Sequence, residues 1–465
     1  MARLEETREP FRIEMADATW AVLDNWDTWG VFLLLTLLNL WVVLLRTARG
    51  ASAARGVRRL LRRLSGRDDL HWLDWRLFVV VGAVWYGGFA AYGLLTGQFA
   101  CQANSINDPL GELSSGRAFW NGVNPFANVP YCGSTVNVPY GLPALFLDAL
   151  GSLGGLAGIL FVWGAVALSV LPLTWLASGD DRRYVTVFVG TSVLCIPLIT
   201  SELGGATNAI VPALLLLTVY LATRNELRAS FVGGVLATAR FPSLFPVLAR
   251  TGSSGRPRVA SFLLAVAGFA AVTGATYAVW GSGFLSTVFF DQFLRRSFSL
   301  NFYGILLLHN ALPTAWWVEA LQAGTTLALV AVVFLRVRSS LRAVAITLVG
   351  VALVTPFLSY NILVWLLPVA LAGDRARQWL WAIATVATVD YGLGFNVLAW
   401  SDGVVWPAEV MDGIVTLLLL GLFVDLWRAE LRREPTDARG ESPADRPAPA
   451  ALAGGAVPST PPASG

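Results

Sequence analysis

The side chains best equipped for chemistry sit in one polar stretch, residues 103–143, ANSINDPLGELSSGRAFWNGVNPFANVPYCGSTVNVPYGLP, set between two strongly apolar segments. Asp108 and Glu112 supply carboxylates, Arg117 a guanidinium, and a series of asparagines supplies amide donors and acceptors. A carboxylate can take the proton of an acceptor hydroxyl when its neighbours hold it ionised and oriented. A guanidinium pairs with phosphate oxygens and stabilises a departing phosphate. Base and phosphate clamp together are sufficient for glycosyl transfer from a lipid phosphate.

Asp108 precedes Pro109, and that pair also reads as the start of a helix, with aspartate at the N-cap and proline at the first helical position. Catalytic base and helix cap are both open for Asp108, and a capping carboxylate that accepts backbone N–H bonds is the weaker base. Glu112, one helical turn further on and on nearly the same face, is the second candidate base. The run Asn121-Gly122-Val123-Asn124-Pro125 then ends the helix by glycine and proline chemistry.

Arg240 is the other notable group. It lies 12 residues beyond Arg228, about 18 Å of helix at 1.5 Å per residue, which reaches the middle of a bilayer. Pro242 follows, and a second short apolar piece leads back to Arg250, Arg256 and Arg258. Residues 229–249 therefore read as a re-entrant hairpin with Arg240 near its tip, a shape tolerated only where it is buried in protein or lines a cavity. An arginine at that depth is either a functional group or half of a structural ion pair. Arg295 and Arg296, an adjacent pair in a second polar segment, are candidates for phosphate binding or for interfacial lipid binding. Asp390 and Glu202 are acids for which the sequence shows no partner.

The elements that must position these groups are membrane helices. The 465 residues are 55% hydrophobic and 14% charged, with a mean hydropathy of +0.62, more apolar than a soluble core requires. All 33 basic residues are arginine, and a net charge of +3 gives no reason to expect a nucleic-acid partner. With about 20 residues per crossing, spans fall near 29–45, 77–95, 151–176, 184–200, 208–222, 259–280, 314–335, 343–358, 362–371, 378–395 and 410–427. The arginine-dense linker 46–67 belongs in the cytoplasm by the positive-inside rule, which puts the N-terminus outside and the C-terminus inside.

The expected fold is thus an all-α polytopic membrane protein with about eleven transmembrane helices and a re-entrant hairpin near 229–249. Residues 1–76 form an N-terminal region with one span and the arginine-rich linker. Residues 77–428 form the transmembrane domain, with external loops near 98–150 and 281–313, and residues 429–465 form a disordered cytoplasmic tail. The acidic start of the chain lacks the basic n-region of a cleavable signal. Three cysteines are too few for a disulfide framework or a zinc cluster, and Cys101 with Cys132 is either a disulfide or two free thiols. With only His71 and His309 available, no metal site is expected, and no nucleotide or dinucleotide motif calls for a cofactor. The GSLGGLAG run at 151–158 reads as close helix packing through small residues.

The succession DPLGELSSGRAFWNGVNPF and VPYGLPALFL resembles the first external loop of the GT-C glycosyltransferases, in particular the polyprenol-phosphate-mannose-dependent family 87 and its relatives. The matching positions are Asp108, Ala118, Gly122 with Asn124-Pro125-Phe126, and Tyr140 with Pro143. ELGGATNAIVPALLL, ending its polar part at Asn208, resembles the family's Gly-Gln-x-Asn element. FVGGVLATARFPSLFPV resembles its glycine-rich segment closing on a basic residue near proline, here Arg240 and Pro242. RRSFSLNFYGILL and TPFLSYNILVWLLPVAL resemble later elements. The sequence departs from the pattern where GGATN lacks the glutamine, where Tyr-Gly-Leu-Pro stands for Tyr-Pro-Pro, and where Tyr360-Asn361 stands for a histidine.

The resemblance implies a GT-C-like fold in the cell membrane. It also implies inverting transfer of a sugar, mannose in the family pattern, from a polyprenyl-phosphate donor to an extracytoplasmic glycan or glycolipid acceptor. Asp108 would be the base and Glu112 its alternate, with Arg117, Arg240, Arg295, Arg296, Tyr140 and Asn208 as substrate and phosphate contacts and membrane lipid as surroundings. The competing expectations are a transporter or lipid flippase with its site at the Arg240 hairpin, and an inactive scaffold for envelope assembly.

Overall fold

A computed structural model describes residues 75–96, 108–127, 129–131, 134–136, 140–178, 185, 188–190, 206–253, 258–285, 316–355, 360–389 and 406–432. The expected first span, the arginine-rich linker, both histidines, all three cysteines, Glu202, Arg295, Arg296, Asp390 and the tail lie outside the described residues.

The described chain is helical almost throughout. Four helices are long and apolar enough to cross a membrane: α1 (Trp75–Thr96), α4 (Gly155–Ala177), α8 (Arg258–Trp280) and α12 (Trp406–Leu431), the last over its part Glu409–Leu431. At 1.5 Å per residue, 22 residues span about 33 Å, which matches the hydrocarbon core of a bilayer. Their outer faces point the same way physically: Val80, Val84 and Leu95 on α1, Val259 and Leu263 on α8, and Leu417 on α12 are exposed. Rows of exposed branched side chains on several long helices would make a patch far larger than water tolerates, and lipid accommodates them. The chain is a membrane protein on these grounds.

Shorter helices fill the space between. α2 (Asp108–Trp120) is followed by a two-stranded ribbon, β1 (Val129–Tyr131) and β2 (Ser134–Val136), the only strands among the described residues. α3 (Leu142–Ser152) occupies the end of the stretch that the sequence reading carries as loop to residue 150. A corner at Leu153–Gly154, with Gly155 at φ 65°, turns α3 into α4. The glycine run at 151–158 therefore makes the corner between two helices, its backbones so close that a Cβ on Gly158 would lie 2.2 Å from the Gly151 carbonyl oxygen.

Beyond a 3-10 turn at Ala206–Ala209 come α5 (Ile210–Ala222), α6 (Glu226–Ala237) and α7 (Leu244–Thr251). α6 begins at Asn225, whose side chain accepts the Arg228 N–H as an N-cap. It stops at Thr238–Arg240, where Pro242 prevents a continuous helix. α6 lies along α8, and α7 packs on α9 (Trp316–Arg336) and α10 (Ser340–Val354). A 3-10 helix over Tyr360–Ala372, containing Pro368, packs on α10 and on α11 (Asp374–Val389). α11 in turn packs on α12. There the Trp379 indole donates to Asp425 at 2.8 Å, and Arg342 on α10 reaches Glu430 on α12 at 3.1 Å.

Candidate functional site

The polar stretch that opens the sequence folds into a layer fixed at three points. The first is the end of α2. Gly122 sits at φ 68°, Val123 N–H donates to the Ala118 carbonyl at 2.9 Å and Gly122 N–H to that of Phe119 at 3.3 Å. This is the helix stop expected from Asn121-Gly122, with the orphan carbonyls satisfied by a left-handed glycine. Trp120 of α2 then donates its indole N–H to the Ala149 carbonyl of α3 at 2.6 Å.

The second point is the end of α8. Asn124 donates its side-chain amide to the Trp280 carbonyl at 3.1 Å while its oxygen accepts the Phe126 N–H. Phe126 meets the rings of Trp280 and Phe284 edge-on at 5.7 and 5.0 Å. The loop after α2 and the start of the second polar segment are thus joined.

The third point is the break between α6 and α7. Gly141 N–H donates to the Ala239 carbonyl at 3.2 Å, and a Cβ on Gly141 would stand 1.9 Å from the Thr238 carbonyl oxygen. Only glycine permits that approach. It brings the preceding residue, Tyr140, under Arg240, whose guanidinium carbon lies 5.2 Å from the centre of the tyrosine ring. This distance is within cation–π range.

Behind that pair lies a carboxylate the sequence reading missed. Asp148 on α3 accepts the Tyr140 hydroxyl on Oδ2 and the Trp163 indole N–H on Oδ1 at 2.8 Å. Tyr140, Asp148, Trp163 and Glu112 are all buried, Asp148 completely, and Arg240 keeps 8% of its surface accessible. Tyr140 and Asp148 lie outside the four long spans. Burial pushes the Asp148 carboxyl up to about 8, against the pull of the two hydrogen bonds and of the Arg240 charge. Burial likewise holds the Tyr140 hydroxyl well above 10, helped by the charges of Asp148 and Glu112 and opposed by Arg240. Glu112, Tyr140, Asp148 and Arg240 therefore share one electrostatic environment.

Of the residues singled out in the sequence, the structure brings together Tyr140, Glu112 and Arg240. Asp108 opens α2, and its carboxylate lies outside the described residues. Arg117 is exposed on α2. Asn208 is buried in the 3-10 turn against α4 and makes no side-chain hydrogen bond among the described residues. Asp148 carried one legible sign, a single charge in the apolar run ALFLDAL, which in a membrane protein marks a buried acid with a partner. Nothing in the sequence links it to Trp163.

A second buried group lies at the other end of the α6–α7 pair. Arg250, which the sequence reading puts with Arg256 and Arg258 at the return end of the hairpin, is completely buried. It donates through one nitrogen to both oxygens of Glu226, at 3.0 and 2.9 Å, and through the other to Ser230 at 3.2 Å. Glu226, 24 residues earlier, neutralises it, so that this charge is an internal tie. Two residues beyond Arg240, a narrow crevice is walled by Pro242, Phe245, Val351 and Val354, with Gln322 and Thr326 at its polar side. No group of three histidine, cysteine, aspartate or glutamate residues able to hold a metal occurs among the described residues.

Comparison with protein-family models, with curated proteins and with solved structures returned no match.

Proposed function

We propose that this chain is an integral-membrane glycosyltransferase of the cell membrane. It moves a sugar, mannose in the pattern it resembles, from a polyprenyl-phosphate donor to an extracytoplasmic glycan or glycolipid acceptor, with inversion. The observation that carries the reading is the buried Arg240 laid over Tyr140 beside Glu112, where the polar stretch meets the broken helix pair. A buried cation that shares the surroundings of Tyr140 with the Glu112 carboxylate combines a phosphate clamp with a base. In the reaction the acceptor hydroxyl loses its proton to Asp108, or to Glu112 one turn on, and its oxygen attacks the anomeric carbon. The bond from that carbon to the phosphate oxygen breaks, and polyprenyl phosphate leaves with the electron pair, its charge met by Arg240. Arg295 and Arg296 join the phosphate contacts, and Asn208 and Arg117 the outer substrate contacts.

In this reading the chain is GT-C-like, crosses the membrane about eleven times, and has its N-terminus outside and its C-terminus in the cytoplasm. The α6–α7 pair is the re-entrant hairpin. The test is incubation of the purified protein with a panel of polyprenyl-phosphate sugars, scoring release of polyprenyl phosphate. Release that disappears in Asp108→Asn is expected, and no release with any donor would refute the enzyme. The broken helix pair around a buried arginine favours one second reading, a lipid-phosphate flippase or transporter. That reading expects movement of the donor lipid across sealed vesicles with its sugar intact.

A further inference from the structure

The connection that runs from α4 to Arg240 has no part in the mechanism above. Trp163 holds one oxygen of Asp148 and Tyr140 holds the other. The ring of Tyr140 underlies the guanidinium of Arg240, and the Gly141 contact with Thr238 and Ala239 locks the backbones of the two segments together. A side chain as long as arginine loses up to about 2 kcal/mol of rotamer freedom when fixed. A site that fixes it beforehand binds its anion without that cost. Tyrosine suits the task because its ring face attracts the cation while its hydroxyl accepts a remote anchor.

We propose that Tyr140 is the positioning residue for Arg240, anchored through Asp148 and Trp163, and that the guanidinium so presented takes the phosphate of a lipid monophosphate. The proposal rests on the glycosyltransferase reading for the identity of the substrate class, but the anion site stands on its own geometry. The lipid is favoured over free phosphate by the setting, a bundle whose long helices expose apolar faces suited to lipid.

The experiment is calorimetric titration of the purified full-length protein in detergent with dodecyl phosphate, and in parallel with inorganic phosphate. The wild type is expected to bind dodecyl phosphate at least 10-fold more tightly than inorganic phosphate, at the roughly 1.4 kcal/mol per decade that apolar contact readily supplies. Tyr140→Leu is expected to weaken dodecyl phosphate binding about 10-fold, the scale of a desolvated cation–π contact. Tyr140→Phe, which keeps the ring under Arg240 but drops the hydroxyl anchor to Asp148, is expected to recover only part of that loss. Asp148→Asn, which keeps the ring, is expected to weaken binding as well, an effect through the anchor that a merely packing role for Tyr140 would not give. Arg240→Lys keeps the buried charge and hence the fold, yet loses the two-pronged donor geometry and weakens binding by a similar factor; it carries the test if Tyr140→Leu does not fold. Wild-type affinity in Arg240→Lys, equal affinities in Tyr140→Leu and wild type, or no preference for the lipid phosphate overturns the proposal. The two ideas fail separately. Transfer activity with Tyr140-independent binding removes only the positioning role, whereas Tyr140-dependent binding without transfer to any acceptor removes only the enzyme.

Discussion

Replacing Gly141 by alanine tests the joint on which the site depends. The added Cβ would lie 1.9 Å from the Thr238 carbonyl oxygen and 2.8 Å from its carbonyl carbon. Ordinary contact begins near 3.4 Å, so one backbone must retreat by roughly 1.5 Å (3.4 − 1.9). No flexible side-chain end is available to yield. Forced displacement of packed backbone costs about 1–3 kcal/mol, and the Gly141 to Ala239 hydrogen bond that is pulled apart adds about 0.5–1.5 kcal/mol. Alanine recovers only about 0.4–1 kcal/mol by restricting the unfolded chain. The net expectation is a loss of about 0.5–4 kcal/mol, centred near 2, together with weaker dodecyl phosphate binding, because Tyr140 moves with its neighbour. Thermal unfolding of the purified protein in detergent measures the first quantity. The control is Gly164→Ala in the middle of α4, where the new Cβ meets nothing within 4 Å; it should be neutral or stabilising by up to about 1 kcal/mol. A Gly141→Ala protein that melts with the wild type, or two variants that behave alike, refutes the packing on which the site is built.

Glu226→Gln leaves a completely buried Arg250 without its counter-charge and should destabilise by about 3–5 kcal/mol, whereas the double replacement Glu226→Met with Arg250→Met should cost much less; equal costs in thermal unfolding would contradict the ion pair. Trp163→Phe removes one donor to Asp148 and is expected to cost about 1–2 kcal/mol in the same assay, with no effect if the indole points elsewhere. The folded-state pKa of Asp148 is raised from 3.8 to about 8, so between those values the folded state holds the extra proton. Its contribution to stability is full below about pH 4 and is lost as pH rises towards 8. The groups facing it are Tyr140, Trp163 and Arg240. Thermal midpoints of wild type and Asp148→Asn, measured from pH 4 to pH 8, should therefore differ by an amount that changes steadily with pH, and a constant difference would dispose of the buried, proton-holding carboxyl.

The helical, membrane character of the chain was legible because it depends on runs of about 20 residues, where many weak hydropathic preferences add. So was the end of α2, because a single glycine at positive φ is a local requirement that Asn121-Gly122 announces by itself. The break at Arg240 was visible for the same reason, through Pro242. Asp148 and Trp163 were not, since their partnership depends on a corner at residues 153–154 that turns α3 back upon α4. A sequence shows that an acid is stranded among leucines but not which indole will meet it. Span boundaries shifted by a few residues where a cap set the helix start, as at Ser340, which opens α10 behind the Ser339 cap three residues ahead of the expected Ala343. The Arg250 tie was hidden for a related reason: an arginine beside an apolar run does not announce that its partner is a glutamate 24 residues away.

The two arginines of the α6–α7 pair make the assignment of roles more secure than either does alone. Both are buried, both lie on a short helix pair interrupted by proline, and both would be expensive in a membrane if left unbalanced. Arg250 is completely enclosed, spends its terminal nitrogens on both oxygens of Glu226 and on Ser230, and ties the first turns of α6 to the last turn of α7. That arrangement has no face on which a ligand could land, and its effect is to close the pair at its base. Arg240 sits at the opposite end, on extended backbone between the helices, with an aromatic face beneath it and part of its surface still accessible. Fixing the base with one arginine keeps the other at a constant distance from α3, where Asp148 anchors Tyr140. Loosening the base by Glu226→Gln should accordingly weaken phosphate binding at Arg240 without touching any residue of that site, a coupling that would be missing if the two ends of the pair were independent.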